Sequence, residues 1–416
     1  MAMKQTQTKM FDFADVGLDF CPGSKNLFPD RFKKMLSQGY NEQTVASVSV
    51  TGNQVTLNYG VAHGYAADRV LKINSGPLVA INGGEFWIDA VTATSVTMSI
   101  DAAPISIAGG FVTKIAPLGW QLVYDVANVH IFKLKNLDET DLFLRLCYQN
   151  NTSYRSAISP CVGKTVDLVT GTITDSESVV ANASLLTPAR GLLWNFSQSA
   201  NNIHNDWTYA QGYSTYGNSK VVGSIYHINL MFFCGNGDYL SRFYALQPVA
   251  CFDLEPLKRP LLLGDVPPTN INNTGYNGGQ DGYAAGANSS QAYIGKIPVS
   301  FDASNAPVTT KYLFYSNPQA LRSYLSNSVE AFNTTTARPL TIFEKETSQF
   351  LGHAIGLYVC GYEATLSSKP AITKENLPVL ASDIEQNKNL LLHCITANSS
   401  TSPIFLASPI EEIKIV

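Results

Sequence analysis

Residues 48–57 read VSVTGNQVTL, and this stretch decides the fold class of the chain. Apolar residues alternate with small polar residues on both sides of a Gly-Asn pair. An alternation of period two indicates a strand that buries one face, and a Gly-Asn pair between two such runs is typical of a tight hairpin turn. The stretch therefore predicts two antiparallel strands joined at Gly52 and Asn53.

The same alternation continues outward from this hairpin. Further runs lie at residues 70–73, 86–91 and 96–98, and Gly, Asn and Ser residues separate them. Five short strands with turn residues at each break predict a small antiparallel barrel or sandwich. We place this small β-module at residues 44–118.

Several residue groups of the module occur in a fixed order. They are GNQVTL at 52–57, AHGYAADRV at 62–70, GGEFWIDAVT at 83–92 and TSVTM at 94–98. In this order they resemble a small β-module, with an "A-H-G" turn, that recurs in tail and baseplate proteins of tailed bacteriophages. The resemblance covers residues 44–101 and implies a structural component of the virion tail, made in the host cytoplasm, that assembles with other tail or baseplate proteins.

His63 is the residue of this module that most resembles a metal ligand or a catalytic residue. It precedes Gly64, which can take positive φ where the chain leaves a loop for a strand, and its ring can bond a neighbouring backbone group. It lacks partners at the spacings typical of zinc sites. We therefore predict a structural role and no metal.

The composition bounds the possible functions. The 416 residues are 45% hydrophobic and only 14% charged, against roughly 25% charged in average soluble domains. Such a neutral surface suits broad contact with other proteins. The formal charge of −4 and the lack of a Lys/Arg run do not favour nucleic-acid binding.

The seven cysteines are scattered and mostly lie in apolar runs, as expected of small buried side chains made in a reducing cytoplasm. The first residues contain no apolar signal region, and no stretch approaches the roughly 18 apolar residues that span a bilayer. These features predict neither secretion nor membrane insertion.

Residues 1–43 are interpreted as an N-terminal arm with a short helix. One helical stripe carries Phe28, Phe32, Met35 and Leu36, and Gly39 supplies a stop signal. The large aromatic residues of the arm are Phe11, Phe13, Phe20 and Phe28. We expect them to be buried on a neighbouring subunit of a trimeric or six-fold-related homo-oligomer, with the chain's own main domain as the alternative. The arm and the loop at 265–292 are predicted to make most of the contacts between subunits.

A larger β-sandwich body is predicted from residues 119–264 together with 346–416. Many of its runs are continuously apolar, which indicates strands covered on both faces. Residues 265–345 are expected to be an insertion with a Gly/Asn-rich loop at 265–292, which should order only against partners, and a helix at 317–325. The body resembles, more faintly, the part that follows such modules in phage virion proteins.

Three segments partly match known catalytic or phosphate-binding motifs, and each lacks an essential feature. Gly163-Lys164-Thr165 lacks the earlier glycine of a phosphate loop and is interpreted as a turn. Residues 234–238 combine a thiol and a carboxylate, with no histidine near to activate them. Asp253 and Glu255 share a face only in an extended chain, as a glycosidase pair would require. We therefore predict no catalytic residue, no cofactor and no enzyme.

A polymer-degrading enzyme is disfavoured because the sequence shows no paired carboxylates or zinc ligands for catalysis. Two functions remain. The first is a structural part of a phage tail or baseplate. The alternative is a receptor-binding tail fibre or tip protein, in which aromatic residues stack on host surface glycans. The candidates for such stacking are Trp207, Tyr209, Tyr213 and Tyr216, which would otherwise pack a hairpin. A fibre usually shows sequence repeats, and we find none.

Overall fold

The computed structural model describes residues 8–150, 155–178, 192–196, 206–233, 241–265, 290–301, 337–361, 379–383, 388–395 and 404–410. Across these ranges the chain is built from antiparallel strands with few and short helices. The predicted all-β fold class is confirmed.

The N-terminal arm contains strand β1 (Lys9–Asp12) and helix α1 (Phe28–Lys33), which a 3-10 turn (Lys25–Leu27) precedes and a π turn (Lys34–Gln38) follows. Pro29 occupies the first turn of α1, where its missing N–H costs no hydrogen bond. Gly39 ends the helical segment with a φ of +76°, a left-handed value that favours glycine. The predicted helical stripe of Phe28, Phe32, Met35 and Leu36 is fully buried.

The small β-module consists of two four-stranded sheets. Its strands are β2 (Tyr40–Thr44), β3 (Ser47–Thr51), β4 (Gln54–Asn58), β5 (Val70–Ile73), β6 (Glu85–Trp87), β7 (Ala90–Val91), β8 (Ser95–Ser99) and β9 (Val112–Ile115). The sheet orders are β2-β9-β5-β6 and β3-β4-β8-β7. The strands predicted around 48–50, 55–57, 70–73 and 96–98 are confirmed, whereas the run at 86–91 is split into β6 and β7, which belong to different sheets. Strands β2 and β9 extend the unit beyond the predicted strands. Two 3-10 turns, Pro77–Ala80 and Asn82–Gly84, lie between β5 and β6.

The hairpin that decided the fold class joins β3 to β4. Thr51 pairs with Gln54, and Gly52 takes a φ of +58° in the two-residue turn between them. Two-residue hairpin turns need positive φ at this position because their twist must match that of the strands. On the apolar side of the hairpin, Val55 and Leu57 are fully buried, and Val48 and Val50 are partly buried against the same core.

A five-stranded sheet follows the module, in the order β10-β11-β12-β13-β16, and a two-stranded ribbon, β14-β15, lies beside it. The strands are β10 (Gln121–Val126), β11 (Val129–Lys135), β12 (Asp141–Tyr148), β13 (Ala157–Gly163), β14 (Val166–Asp167), β15 (Thr172–Ile173) and β16 (Trp194–Asn195).

A 13-stranded antiparallel sheet forms the rest of the body. After helix α2 (Tyr209–Tyr216), the chain forms β17 (Ser219–Gly223), β18 (Ile228–Phe233), β19 (Ser241–Gln247), β20 (Val249–Cys251), β21 (Leu261–Asp265), β22 (Ser290–Ile294), β23 (Ile297–Ser300), β24 (Ala337–Glu344), β25 (Phe350–Gly361), β26 (Val379–Asp383), β27 (Lys388–Cys394) and β28 (Ile404–Pro409). A 3-10 turn (Glu255–Leu257) precedes β21. The order is β1-β17-β18-β19-β21-β22-β23-β24-β25-β28-β27-β26, with β20 paired to β25.

The large sheet is covered on both faces around β18. Leu230 and Phe232 belong to a core shared with the arm, the module and the five-stranded sheet. Met231, between them, belongs to a second core on the opposite face. Successive side chains of a strand point to opposite faces, so a continuous apolar run fills both cores. The prediction of strands covered on both faces is confirmed here.

The predicted insertion at residues 265–345 is partly wrong. Strands β22, β23 and β24 lie inside it, and they connect β21 to β25 within the large sheet. Their short apolar segments are buried by neighbouring strands that the local sequence does not reveal. Of the Gly/Asn-rich loop predicted at 265–292, residues 266–289 lie outside the described residues, and the residues at its two ends belong to β21 and β22. The helix predicted at 317–325 and the turn at 234–238 also lie outside the described residues.

Candidate contact surfaces

The four arm phenylalanines lie inside the chain's own core, since Phe11, Phe13, Phe20 and Phe28 are each 0% exposed. Phe13 stacks on Phe20 with ring centroids 3.8 Å apart, and Phe28 lies 4.9 Å from Phe196. Strand β1 pairs with β17 and thereby carries the arm into the large sheet. This corrects the expectation that a neighbouring subunit buries these rings, because a site on the same chain meets them at a far higher effective concentration.

The predicted glycan-stacking segment is a helix and not a hairpin. Thr208 caps α2 in a capping box with Gln211, which satisfies two amides at the start of the helix. The helix packs closely on the arm, because a Cβ on Gly212 would lie 2.0 Å from Cys21 Sγ. Tyr216 is 4% exposed and packs against Gly23 of the arm.

Trp207, Tyr209 and Tyr213 are half-buried on this helix and its entry. The rings of Tyr209 and Tyr213 have centroids 5.1 Å apart, as expected for positions one helical turn apart. The Tyr209 amide donates to Asp19 Oδ1 at 3.1 Å, and the Ser24 hydroxyl donates to the Trp207 carbonyl. The two sets of aromatic residues singled out in the sequence therefore meet: the arm lies inside and the helix covers it.

His63 has the structural role predicted for it. The ring is 2% exposed, and its Nδ1 accepts the Tyr65 amide hydrogen at 2.9 Å. Because Nδ1 accepts, the proton is on Nε2, which donates to the carbonyls of Thr92 at 3.0 Å and Ser95 at 3.1 Å. Gly64 takes a φ of +70°, as expected for the turn. The signature histidine thus ties one loop of the module to the next.

A pocket of about 350 Å³ lies between the turn after β11 and strand β20. Val249, Cys251 and Leu257 provide apolar lining, and Asp138 and Lys258 provide charged lining. The sequence search did not find this site because its two sides are more than a hundred residues apart.

An exposed aromatic patch adjoins the pocket, and we define it as Phe252, Leu254 and Phe350. Their exposed fractions are 53%, 58% and 41%, and the rings of Phe252 and Phe350 meet edge to face at 6.0 Å. Exposed apolar groups that lie together are typical of contact sites, whereas single ones are common on any surface. The pocket with this patch can accept an apolar group of another molecule.

Two carboxylates near the pocket, those of Asp253 and Glu255, are neutralised by cations. Asp253 pairs with Lys258 at 2.7 Å, and Glu255 pairs with Lys164 at 3.0 Å and with Arg259 at 2.9 Å. The hydrogen bond from Lys164, followed by that from Arg259, lowers the pKa of Glu255. A glycosidase acid needs a raised pKa. Glu255 also begins a 3-10 turn, so the extended chain that a paired-carboxylate site required is not present.

Gly163-Lys164-Thr165 forms the predicted turn. Strand β13 ends at Gly163, and β14 begins at Val166, with no helix N-terminus to bind a phosphate. Asp175 Oδ2 accepts the Lys164 amide hydrogen at 3.0 Å, and the Asp175 carboxylate also pairs with Arg259. Burial alone would raise the pKa of Asp175, but these hydrogen bonds outweigh it and lower the pKa.

A buried polar cluster inside the body escaped the sequence analysis. Arg242 pairs with Asp265, and their side chains are 4% and 6% exposed. The Tyr244 hydroxyl also lies 2.6 Å from Asp265 Oδ2, and burial raises the pKa of this tyrosine well above its usual value. Such a cluster rigidifies the centre of the sheet when its members are paired.

Four of the five cysteines that the structure characterises are buried, and Cys251 is half-buried. In the described parts of the chain, no group of three or more His, Cys, Asp and Glu side chains is arranged to hold a metal ion. None of the helices in the described ranges has the length and apolar content needed to cross a bilayer.

No family model, no curated protein and no solved structure matches this chain.

Proposed function

We propose that the chain is a structural component of a bacteriophage tail or baseplate, and that it works by assembling with copies of itself and with other virion proteins. The observation that carries the proposal is the internal use of the module's signature. The "A-H-G" turn contains two residues that could act in catalysis or ligand binding, His63 and Tyr65. Both form hydrogen bonds within the module instead. The signature is then architectural, as in a building block.

The second support is the kind of surface that the body offers. The aromatic patch and its pocket expose apolar groups, while Asp253 and Glu255 beside them are paired with lysine and arginine. Such a site favours contact over bond-breaking chemistry, because the pKa of Glu255 is lowered, whereas an acid catalyst needs a raised pKa. In this proposal the patch meets another virion protein.

The test is the composition of the particle. Virions of the phage that encodes the chain are banded on a density gradient, and the copy number of the chain is measured by quantitative mass spectrometry. We expect a fixed copy number that is a multiple of three. A lysate that contains the chain while the banded particles lack it would refute the proposal.

The half-exposed Trp207, Tyr209 and Tyr213 favour one alternative, a tip protein that contacts host surface glycans. Planar rings held on a rigid helix suit stacking on sugar faces. Under this alternative, Tyr213→Ala reduces phage adsorption to host cells while particle assembly stays normal. Under the structural proposal, adsorption is unchanged.

A further inference from the structure

The outer edge of strand β3 is the least protected strand edge of the module. No Asp, Glu, Lys or Arg occurs from residue 43 to residue 67, which includes the whole β3–β4 hairpin. Its register with β4 is regular over five pairs, with no bulge. Among the described residues, β4 is the only strand that pairs with β3. Every second residue of β3 therefore turns its amide and carbonyl away from β4, toward the edge at which no described strand pairs with β3.

The other edges of the module are protected. Strand β2 carries Glu42 and a register shift between Tyr40 and Gln43. Strand β6 has three residues and begins at Glu85, and β7 has only two residues. Charges, bulges and short length are the features that keep an edge strand from pairing with another chain. Strand β3 has none of them.

We propose that β3 pairs antiparallel with β3 of a second copy of this chain, around a two-fold axis at Ser49. This inference deepens the proposed function by locating one contact between copies. In this register Ser47 opposes Thr51, Val48 opposes Val50, and Ser49 opposes itself. The sheet β3-β4-β8-β7 of one copy and the same sheet of the second copy then form one continuous eight-stranded sheet across the axis.

The side chains of β3 suit this self-pairing. Ser47, Ser49 and Thr51 are exposed on one face, and hydroxyl side chains opposite each other form hydrogen bonds. Val48 and Val50, on the other face, pack against the core yet stay partly exposed. Pairing places valine against valine there and covers that apolar surface. No charge opposes a like charge, because the strand has none.

The two ends of the strand fix the length of the pairing. The hairpin turn at Gly52 closes one end. At the other end Gly109 lies against Ala46, so closely that a Cβ on Gly109 would be 2.3 Å from the Ala46 carbonyl oxygen. A partner strand therefore reaches Ser47 and stops, which leaves the five residues of β3. A two-fold contact of this kind closes a pair and does not propagate.

The test uses the full chain and a charge at the two-fold position. Ser49→Lys and Ser49→Glu each place like charges opposite one another in a homotypic pair, and we expect self-association about tenfold weaker than that of the unaltered chain. An equimolar mixture of the two variants places lysine opposite glutamate, and we expect it to associate at least as tightly as the unaltered chain. Analytical ultracentrifugation over a concentration series measures all four samples.

Gln54→Lys is the matched control, because it adds the same charge at an exposed position one strand in from the edge. It should associate as the unaltered chain does, and circular dichroism checks that each variant is folded. The inference fails if the unaltered chain shows no concentration-dependent association, or if the mixture associates no better than either variant alone. Failure here with the chain present in banded virions would leave the proposed function standing, so the two tests are separable.

Discussion

The module and the large sheet are both antiparallel, but they differ in how far apart their paired residues lie in the chain. In the module, Ser47 pairs with Asn58 across a short hairpin. In the large sheet, Lys9 pairs with Gly223, and Val249 pairs with Ala354. A local pairing leaves its mark as alternation and a turn in adjacent residues, whereas a distant pairing leaves only apolar runs. The difference explains why the strands and turns of the module could be predicted from the sequence, whereas for the large sheet only the presence of buried strands could be predicted.

The largest expected effect tests whether the arm belongs to the body. Deleting residues 1–27 removes strand β1 and three buried phenylalanines, each worth roughly 1.5–3 kcal/mol. Because domains are stable by only about 5–15 kcal/mol, we expect the cooperative melting of the body to be lost. Differential scanning calorimetry measures it, and a cooperative transition retained near that of the full chain would contradict the packing described here.

A smaller loss is expected at the ring where the arm meets the large sheet. Phe196 is fully buried and stacks on Phe232 with centroids 4.3 Å apart. Phe196→Ala should lower the free energy of unfolding by about 3–5 kcal/mol, because it leaves a cavity among the arm rings. Phe252→Ala is the matched control at an exposed position, where we expect a change below about 0.5 kcal/mol. Urea denaturation of both variants measures the contrast, and equal losses would refute it.

The body should also lose stability in acid through a buried histidine. His227 is fully buried, and burial lowers its pKa to about 3. The unfolded chain therefore binds a proton that the folded chain does not, so stability falls as pH drops from about 6.5, by about 3 kcal/mol at pH 4. His227→Leu should flatten this part of the pH profile of unfolding, with His353→Gln at an exposed position as control. An unchanged profile would show that other groups cause the acid sensitivity.

The smallest effect belongs to the module. His63→Ala removes the acceptor of the Tyr65 amide and the donor to two carbonyls. We expect a loss of about 1–3 kcal/mol, because those backbone groups stay buried without partners. Amide hydrogen exchange should speed up in the module strands and stay unchanged in β18 and β19. Faster exchange in both regions would mean that the module and the body unfold as one unit.

The sequence predicted what short-range physics controls. The β3–β4 hairpin, the strands β5 and β8, the helical stripe ending at Gly39 and the structural role of His63 are confirmed, because each depends on residues a few positions apart. The run at 86–91 was expected to be one strand and is divided between the two sheets of the module. The arm rings were correctly expected to be buried, but the choice between their own chain and a neighbour depends on the pairing of β1 with β17. No pattern within residues 1–43 encodes that partner.

The sites on the body could not be predicted from the sequence, because their residues are also far apart in the chain. The pocket joins Asp138 to Lys258, and the buried pair joins Arg242 to Asp265 through two neighbouring strands. The aromatic segment at 207–216 was expected to form a hairpin if it did not bind glycans, and it forms a helix. Thr208 and Gln211, three residues apart, were the available signal, since together they make a capping box. The uncharged run around β3 was likewise visible in the sequence.

The pairing of β1 with β17 also has a consequence during synthesis of the chain. The partner residues, 219–223, leave the ribosome more than two hundred residues after β1 does. At about 5–20 residues per second, the arm waits roughly 10–40 s with its aromatic rings uncovered. During that time the arm exposes apolar side chains that can bind chaperones or the arms of other chains being made on the same messenger RNA. Strand β1 is therefore made more than two hundred residues before the strand that completes its pairing.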